Sequence, residues 1–489
     1  MPRWHLLAER MTDLRARARN ILRHRVTRNF VSGTTLKIFS QGLTLIIVIY
    51  LARILGPANY GLFSMTMAIM AYFILAITFG LPVIGIREVA RKNDASMQIW
   101  WDVAVLRTGL AVLVYALLLI IAISVPALKD MRNLLIVYGT NLFLIALLPD
   151  WTFIGLERMV WPAFASLIGS ALTLGLIFAF VRSADQLLVA LVCIIAGNAL
   201  AFVILVAKLR ALSDGRPQLI IHRERLRKLM RAAFPFIFAG LSEQVYGNAD
   251  LILVGFIGGK AEAGIYAAAY KVVNMLAIII GLIGLAIYPA MARLFKSDPE
   301  RSKVFVSAIT GTMLALFLPI AVGGTLISNQ LVQFFYGAEY ASAAKPLAIL
   351  LWYVLLTAVR VSFAYALLAI NEDRSYITAI TGGALIDLAL IAFMVPKWGA
   401  TGAAAAMVIA EFFIFIYIAV QARRKLKITF IQVRTLLPIL ISALAMTAAV
   451  WALKDRLMVL VVMVCAALIY GIVLGICFFF MYRETRQEA

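Results

Sequence analysis

TTLKIFSQGLTLIIVIYLARILGPANYGLFSMTMAIMAYFILAITFGLPVIGIREVARK, residues 34–92, is the stretch that decides the fold. Two apolar runs, 36–54 and 62–81, are joined by a tight turn at Leu55-Gly56-Pro57 and followed by a cationic segment at Arg87, Arg91 and Lys92. Each run has about the ~20 residues a helix needs to cross a bilayer core. Arg53 stands at the end of the first run. The pattern predicts a hairpin of two membrane helices, and the rest of the chain repeats it.

Composition agrees with that reading. Hydrophobic residues make up 64% of the 489, against roughly 45–50% in an ordinary soluble domain. A soluble chain cannot bury that much apolar surface, so lipid must solvate most of it. The net charge of +21 would suggest nucleic acid in a soluble protein, but here the cations fall between apolar runs, which is the positive-inside pattern. Residues 1–31 form a basic segment without the apolar core of a signal peptide, read as a cationic amphipathic helix on an anionic leaflet or as a frayed tail. Cys193, Cys465 and Cys477 all lie in apolar runs without metal-ligand spacing, and His5, His24 and His222 lie in basic segments. No metal site, disulfide framework or cofactor is expected.

Apolar runs near 36–54, 62–81, 102–125, 133–152, 160–181, 187–207, 232–257, 265–290, 304–327, 343–369, 375–395, 400–421, 432–452 and 457–481 predict fourteen transmembrane helices. The longest connection, 208–231, is too short to hold a soluble catalytic domain. With the N-terminus inside, 33 of the 45 Lys and Arg fall on inner segments and 9 on outer ones, which predicts both termini in the cytoplasm. Trp100, Trp101, Trp151, Trp352, Trp398 and Trp451 lie near span ends, as interfacial anchors do.

An internal repeat emerges when the second half is slid back. Gly61-Leu62-Phe63 meets Gly264-Ile265-Tyr266 at an offset of 203, and Arg91 meets Arg293 at 202. The turn 155–158 meets 371–374 at 216, and Arg210 meets Arg423 at 213. The offset spans an even number of helices, so the two halves share orientation, as in a parallel repeat about an axis along the membrane normal. The expected architecture is all-α: a basic segment 1–31, a six-helix bundle 32–210, a basic linker 211–231, a second six-helix bundle 232–424, and two further helices in 425–489.

Ionisable residues inside spans cost about 2.5–3.5 kcal/mol each on insertion scales, so they face a partner or a cavity. The chain has Arg107, Glu243, Asp250, Lys271, Arg360, Asp387 and Glu411, with Arg53 near a span end. Depth along the helices matches Asp250 with Lys271 and Arg360 with Glu243, so an ion pair between each is expected. Two readings stand side by side, neutralisation within a bundle and the lining of a polar lumen. In the second, Arg53, Arg107, Lys271 and Arg360 attract phosphate through fixed cationic donors, and Gln41, Gln244, Asn248 and Asn274 bond hydroxyls. Glu243, Asp250, Asp387 and Glu411 are the candidates to carry a proton or sodium. Gly258-Gly259-Lys260 lacks the spacing of a phosphate-binding loop, so direct ATP hydrolysis is not expected.

LARILGPANYGLFS, FGLPVIGIREVARK, the GLER turn at 155–158 and ADLILVGFIGGKAEAGIYAAAYKVV together resemble the oligosaccharide flippases of the polysaccharide transporter family. That family lies in the MOP superfamily, which also holds multidrug exporters and lipid II flippases. The resemblance covers about residues 30–480. It implies a V-shaped pair of bundles about a central cavity in a bacterial inner membrane, moving a polyprenyl-pyrophosphate-linked oligosaccharide to the periplasmic leaflet for O-antigen, capsule or exopolysaccharide export. Its implied partners are that lipid-linked substrate, membrane lipids and other polysaccharide-assembly membrane proteins. The alternatives are an ion-coupled multidrug exporter of the same fold and a membrane oligosaccharide polymerase or ligase, the latter disfavoured by short outer loops.

Overall fold

The computed structural model describes residues 25–213, 223–427 and 433–487. Every element in these stretches is helical: α1 Arg25–Thr78, α2 Leu81–Arg91, α3 Ser96–Ser124, α4 Arg132–Gly139, α5 Asn141–Leu147, α6 Asp150–Gly155, α7 Val160–Phe180, α8 Leu187–Leu212, α9 Arg223–Gly258, α10 Lys260–Ser297, α11 Pro299–Leu326, α12 Ser328–Tyr336, α13 Ala344–Ala369, α14 Asp373–Leu426, α15 Val433–Leu453 and α16 Val459–Gln487, with three short 3₁₀ turns between them. Eleven helical stretches among the described residues are long and apolar enough to cross a membrane. The basic segment predicted at 1–31 lies mostly outside the described residues.

Two 54-residue helices, α1 and α14, are each a pair of helices joined across a kink, at Gly56 and Gly399. Gly56 takes φ 70° and ψ 170°, a conformation that excludes an ordinary L side chain, and Pro57 restarts the helix where its missing N–H has no partner to lose. Gly259, between α9 and α10, has φ 91° and ψ 168°, the same local backbone. Glu157 (φ 57°) and Asn371 (φ 61°) likewise end helices in the left-handed region. In both turns the following N–H reaches back five residues, Arg158 to Phe153 and Glu372 to Leu367. Glu157 and Asn371, 214 residues apart, thus take the same kind of turn. The pairing at 216 read from the sequence aligns Arg158 with Arg374, whereas the turns themselves lie 214 residues apart.

The run expected as one span at 62–81 ends at Thr78, where Phe79 and Gly80 turn into the amphipathic α2. The run expected at 133–152 is broken twice, at Thr140 and at Leu148-Pro149. Thr140 Oγ1 turns back onto Val137 O (2.7 Å), and Pro149 forces Leu148 into extended backbone.

The chain divides into two compact units. The first holds residues up to Leu55 and Thr66–Gln244. Its core gathers Leu81, Val89, Trp100, Val103, Trp151, Phe153, Leu205 and Leu209. Arg225 of α9 bonds the buried Asp102 at 2.9 Å, and the Arg87 guanidinium lies 5.6 Å from the Phe236 ring centroid. The second unit holds Gly56–Met65 and everything from Val245 onward. Its centre is α13, buried along most of its length against α10, α11 and α14. The Glu262 carboxylate accepts the Ala400 N–H at 2.6 Å, capping the helix that restarts after Gly399. Tyr470 ties α16 to α11 through Ala315 O at 2.8 Å.

Candidate functional site

In the second unit, α9 carries Asp250, α10 carries Tyr266, and α14 carries Asp387 and Met407. The Tyr266 hydroxyl donates to Asp250 Oδ2 at 3.1 Å and lies 3.6 Å from the Met407 sulfur. The carboxyls of Asp250 and Asp387 are close enough to share a hydrogen bond. Carboxylates only accept, so a bond between two of them needs a proton on one. Asp387 Oδ1 is buried without a donor. Tyr266 and Tyr270 stack with centroids 5.8 Å apart, and Asn274 stands one turn further along α10. The result is an acidic pair walled by aromatic rings, with room in its charge state for one proton or one cation.

Lys271 was expected to pair with Asp250. Instead Asp250 meets Tyr266 and Asp387, and Lys271 stands half-buried on α10 with no ion-pair partner among the described residues. Arg360 was matched in depth with Glu243, whose side chain lies outside the described residues. The structure gives Arg360 a different partner, Glu411, with Nε donating to Oε1 at 2.6 Å and Thr357 Oγ1 donating to the same oxygen at 2.8 Å. Both side chains are almost wholly buried, so this pair is charge-neutral and holds α13 to α14.

In the first unit, Arg107 is 3% exposed on α3. Its Nη2 donates to Ile145 O at 2.6 Å and its Nη1 faces Leu148 O at 3.5 Å. Pro149 has no N–H to give Ile145 O, which keeps only the Leu148 N–H at 3.3 Å and so has a lone pair left for the guanidinium. Asp150, just past that break, faces the guanidinium as counter-charge. Arg53 and Gln41 are exposed on α1, and Asn248 is half-buried on α9. The carbonyl of Gln244 accepts the Tyr72 hydroxyl at 3.1 Å. No cluster of metal-ligand side chains occurs among the described residues.

Sequence reasoning missed Asp150, Asp102 and Tyr266. The two aspartates sit at predicted span ends, where a charge needs no explanation, and a tyrosine in an apolar run carries no signal of its own. Outside the membrane-spanning segments, the Lys425 ammonium beside Glu372 holds that carboxyl below its ordinary value.

Apolar helices of spanning length, carrying buried acids and cations in their interior, define a multi-pass membrane protein. The family model described as "Polysaccharide biosynthesis protein" matches residues 26–295, more than half of the chain, and the chain belongs to that family. It is 23% identical over 373 residues to the "Putative O-antigen transporter" of Escherichia coli K12, covering 74% of this chain and 88% of that protein. It is 25% identical over 285 residues to "Lipid II flippase MurJ" of Bacillus subtilis, covering 52% of each. Among solved structures, the lipid II flippase MurJ in an inward closed conformation superposes with a TM-score of 0.75 at 17% identity, covering 93% of this chain and 99% of that one. An inward-facing multidrug resistance MATE transporter of the MOP superfamily superposes with a TM-score of 0.64 at 15% identity, covering 81% and 98%.

Proposed function

We propose that this protein flips a polyprenyl-pyrophosphate-linked oligosaccharide from the cytoplasmic to the periplasmic leaflet by ion-coupled alternating access, for export of a surface polysaccharide. The observation that carries the reading is the Asp250–Asp387 pair inside a unit of a polysaccharide-biosynthesis family member. Two carboxyls in contact cannot both ionise without a proton or cation between them, so the pair changes occupancy whenever its access to water changes. That is the property an ion-coupling site requires.

The remaining assignments follow from chemistry. Arg107 and Arg360 are committed to carbonyls and to Glu411, so the half-buried Lys271 is the leading candidate to meet the pyrophosphate, with Arg53, exposed on α1, as a second cation and Gln41, Asn248 and Asn274 bonding hydroxyls. Counting each kinked helix twice and α9 once gives fourteen spans, in two six-helix bundles plus α15 and α16. The matched turns at Gly56 and Gly259, and at Glu157 and Asn371, favour a parallel repeat between the bundles. The distribution of cations favours cytoplasmic termini.

The test is the leaflet distribution of lipid-linked oligosaccharide in a deletion strain, read by access to an external glycosidase. Cytoplasmic-leaflet accumulation, restored by the wild-type gene and not by Asp387→Asn, is expected. Unchanged glycolipid together with altered drug sensitivity would refute flipping and favour the multidrug exporter reading.

A further inference from the structure

Most tyrosines given a polar contact in this protein spend their hydroxyl on the protein itself. Tyr50, Tyr72, Tyr115 and Tyr470 donate to main-chain carbonyls, and Tyr266 donates to Asp250. Three others in the second unit do not. Tyr288 of α10 and Tyr365 of α13 lie with ring centroids 5.5 Å apart at 47°, and Tyr376 of α14 and the Arg360 charge lie within electrostatic reach of the Tyr365 hydroxyl. None of the three hydroxyls has a hydrogen-bond partner among the described residues, and all three rings are partly exposed.

The local sequence makes room for this arrangement. Gly284 lies under Tyr365, and a Cβ there would fall 2.3 Å from the ring. Glycine at 284 leaves the space that the end of the ring fills against α10. Tyrosines also line membrane interfaces, but a belt spreads round the circumference. Here α10 and α13 bring their rings into contact, with Tyr376 of α14 within electrostatic reach, and α13 is the most enclosed helix of the unit. The aromatic group formed by Tyr60, Tyr336 and Tyr340 provides the contrast, since all three of its rings are buried and serve packing.

Open aromatic faces with unspent hydroxyls recognise a ring that is apolar on its faces and hydroxylated at its rim. The neighbouring Arg360 is neutralised by Glu411, so it offers no uncompensated charge to a phosphate. We infer that Tyr288, Tyr365 and Tyr376 form a subsite for a neutral pyranose ring of the translocated glycan, separate from the groups that hold its pyrophosphate. This inference rests on the flippase reading and names the part of the substrate that these residues take.

The test uses the purified full-length protein in detergent and two probes, farnesyl pyrophosphate and farnesyl-pyrophosphoryl-N-acetylglucosamine. Wild type is expected to bind the sugar-bearing probe more tightly. Tyr288→Leu with Tyr365→Phe should remove that advantage, about ten-fold, while leaving farnesyl pyrophosphate affinity unchanged. Tyr365→Phe keeps the ring on Gly284, so a folding failure of the pair is checked against that single variant, which should lose part of the advantage alone. An unchanged preference in these variants, or equal binding of both probes by wild type, overturns the subsite and leaves the flippase reading standing. Failure of wild type to bind either probe overturns both.

Discussion

Where the second leg of α1 crosses the start of α10, Gly61 and Gly264 meet in a reciprocal contact. A Cβ on Gly61 falls 1.8 Å from Lys260 O, and one on Gly264 falls 1.9 Å from Pro57 O, so each glycine faces the carbonyl four residues before the other. Both obstacles are backbone atoms, which cannot swing aside. Bringing the Gly264 contact to 3.0 Å forces the helices about 1.1 Å apart. Overpacking a close-packed crossing costs about 1–3 kcal/mol. Alanine recovers only about 0.5–1 kcal/mol through helix propensity, so the net sign is destabilising. Gly264→Ala should therefore lower the melting temperature of the purified protein and loosen the segment 56–65 from the second unit. A cysteine replacing Ser64, which is 8% exposed, reports that loosening in a chain whose three native cysteines are changed to alanine. Its labelling by a water-soluble maleimide should quicken about ten-fold, as a penalty near 1.4 kcal/mol requires. Once one methyl has parted the helices, the second meets a relieved contact, so the double alanine variant should lose less than the two singles combined. Additive losses, or a Gly264→Ala protein with unchanged melting and labelling, would refute the crossing as described.

Three further outcomes follow from the buried charges and from the half-exposed pair of Lys425 and Glu372. Glu411→Gln leaves the Arg360 guanidinium buried without its counter-charge and should cost about 3–5 kcal/mol, whereas the double change Glu411→Met and Arg360→Met should cost less than either single, measured by thermal unfolding. Arg107→Met takes a buried donor from the carbonyls of Ile145 and Leu148 and should destabilise by about 1–3 kcal/mol, with no recovery on adding pyrophosphate. The lowered carboxyl of Glu372 contributes stability above its unfolded value and loses it as pH falls through the folded one. The melting temperature of Lys425→Gln should therefore differ from wild type at neutral pH, and the two should converge in acid.

The spans were legible because their signal is one-dimensional, a run of apolar residues long enough for a bilayer. Gly56-Pro57 was legible as a turn for a similarly local reason, since one residue accepts positive φ and the next restarts a helix. Span four was not, because Leu147-Leu148 and Trp151 continue the apolar run across the break and hide what Pro149 does to the backbone. That error carried into the site. With span four read as intact, Arg107 had no carbonyls to bond and looked like a lumen cation.

The expected pairing of Asp250 with Lys271 failed for a different reason. Counting residues from a span end gives height in the membrane but not rotation about the helix. Tyr266 and Lys271 differ by five residues, which is less than 8 Å of rise and about 140° of turn, so they face different sides of α10 at comparable depth. Asp250 faces the side that carries Tyr266. The same arithmetic separates Lys271 from the acidic pair, so one helix can present a carboxyl-binding face and a cationic face at the same level. If the pair loads an ion while Lys271 holds the pyrophosphate, α10 is the element through which the two are coupled. Lys271→Gln should then abolish headgroup binding while leaving the pH dependence of the Asp250–Asp387 pair intact, as read by the carboxyl stretch in infrared difference spectra. Loss of both signals in a folded Lys271→Gln protein would show that the lysine belongs to the acidic site after all.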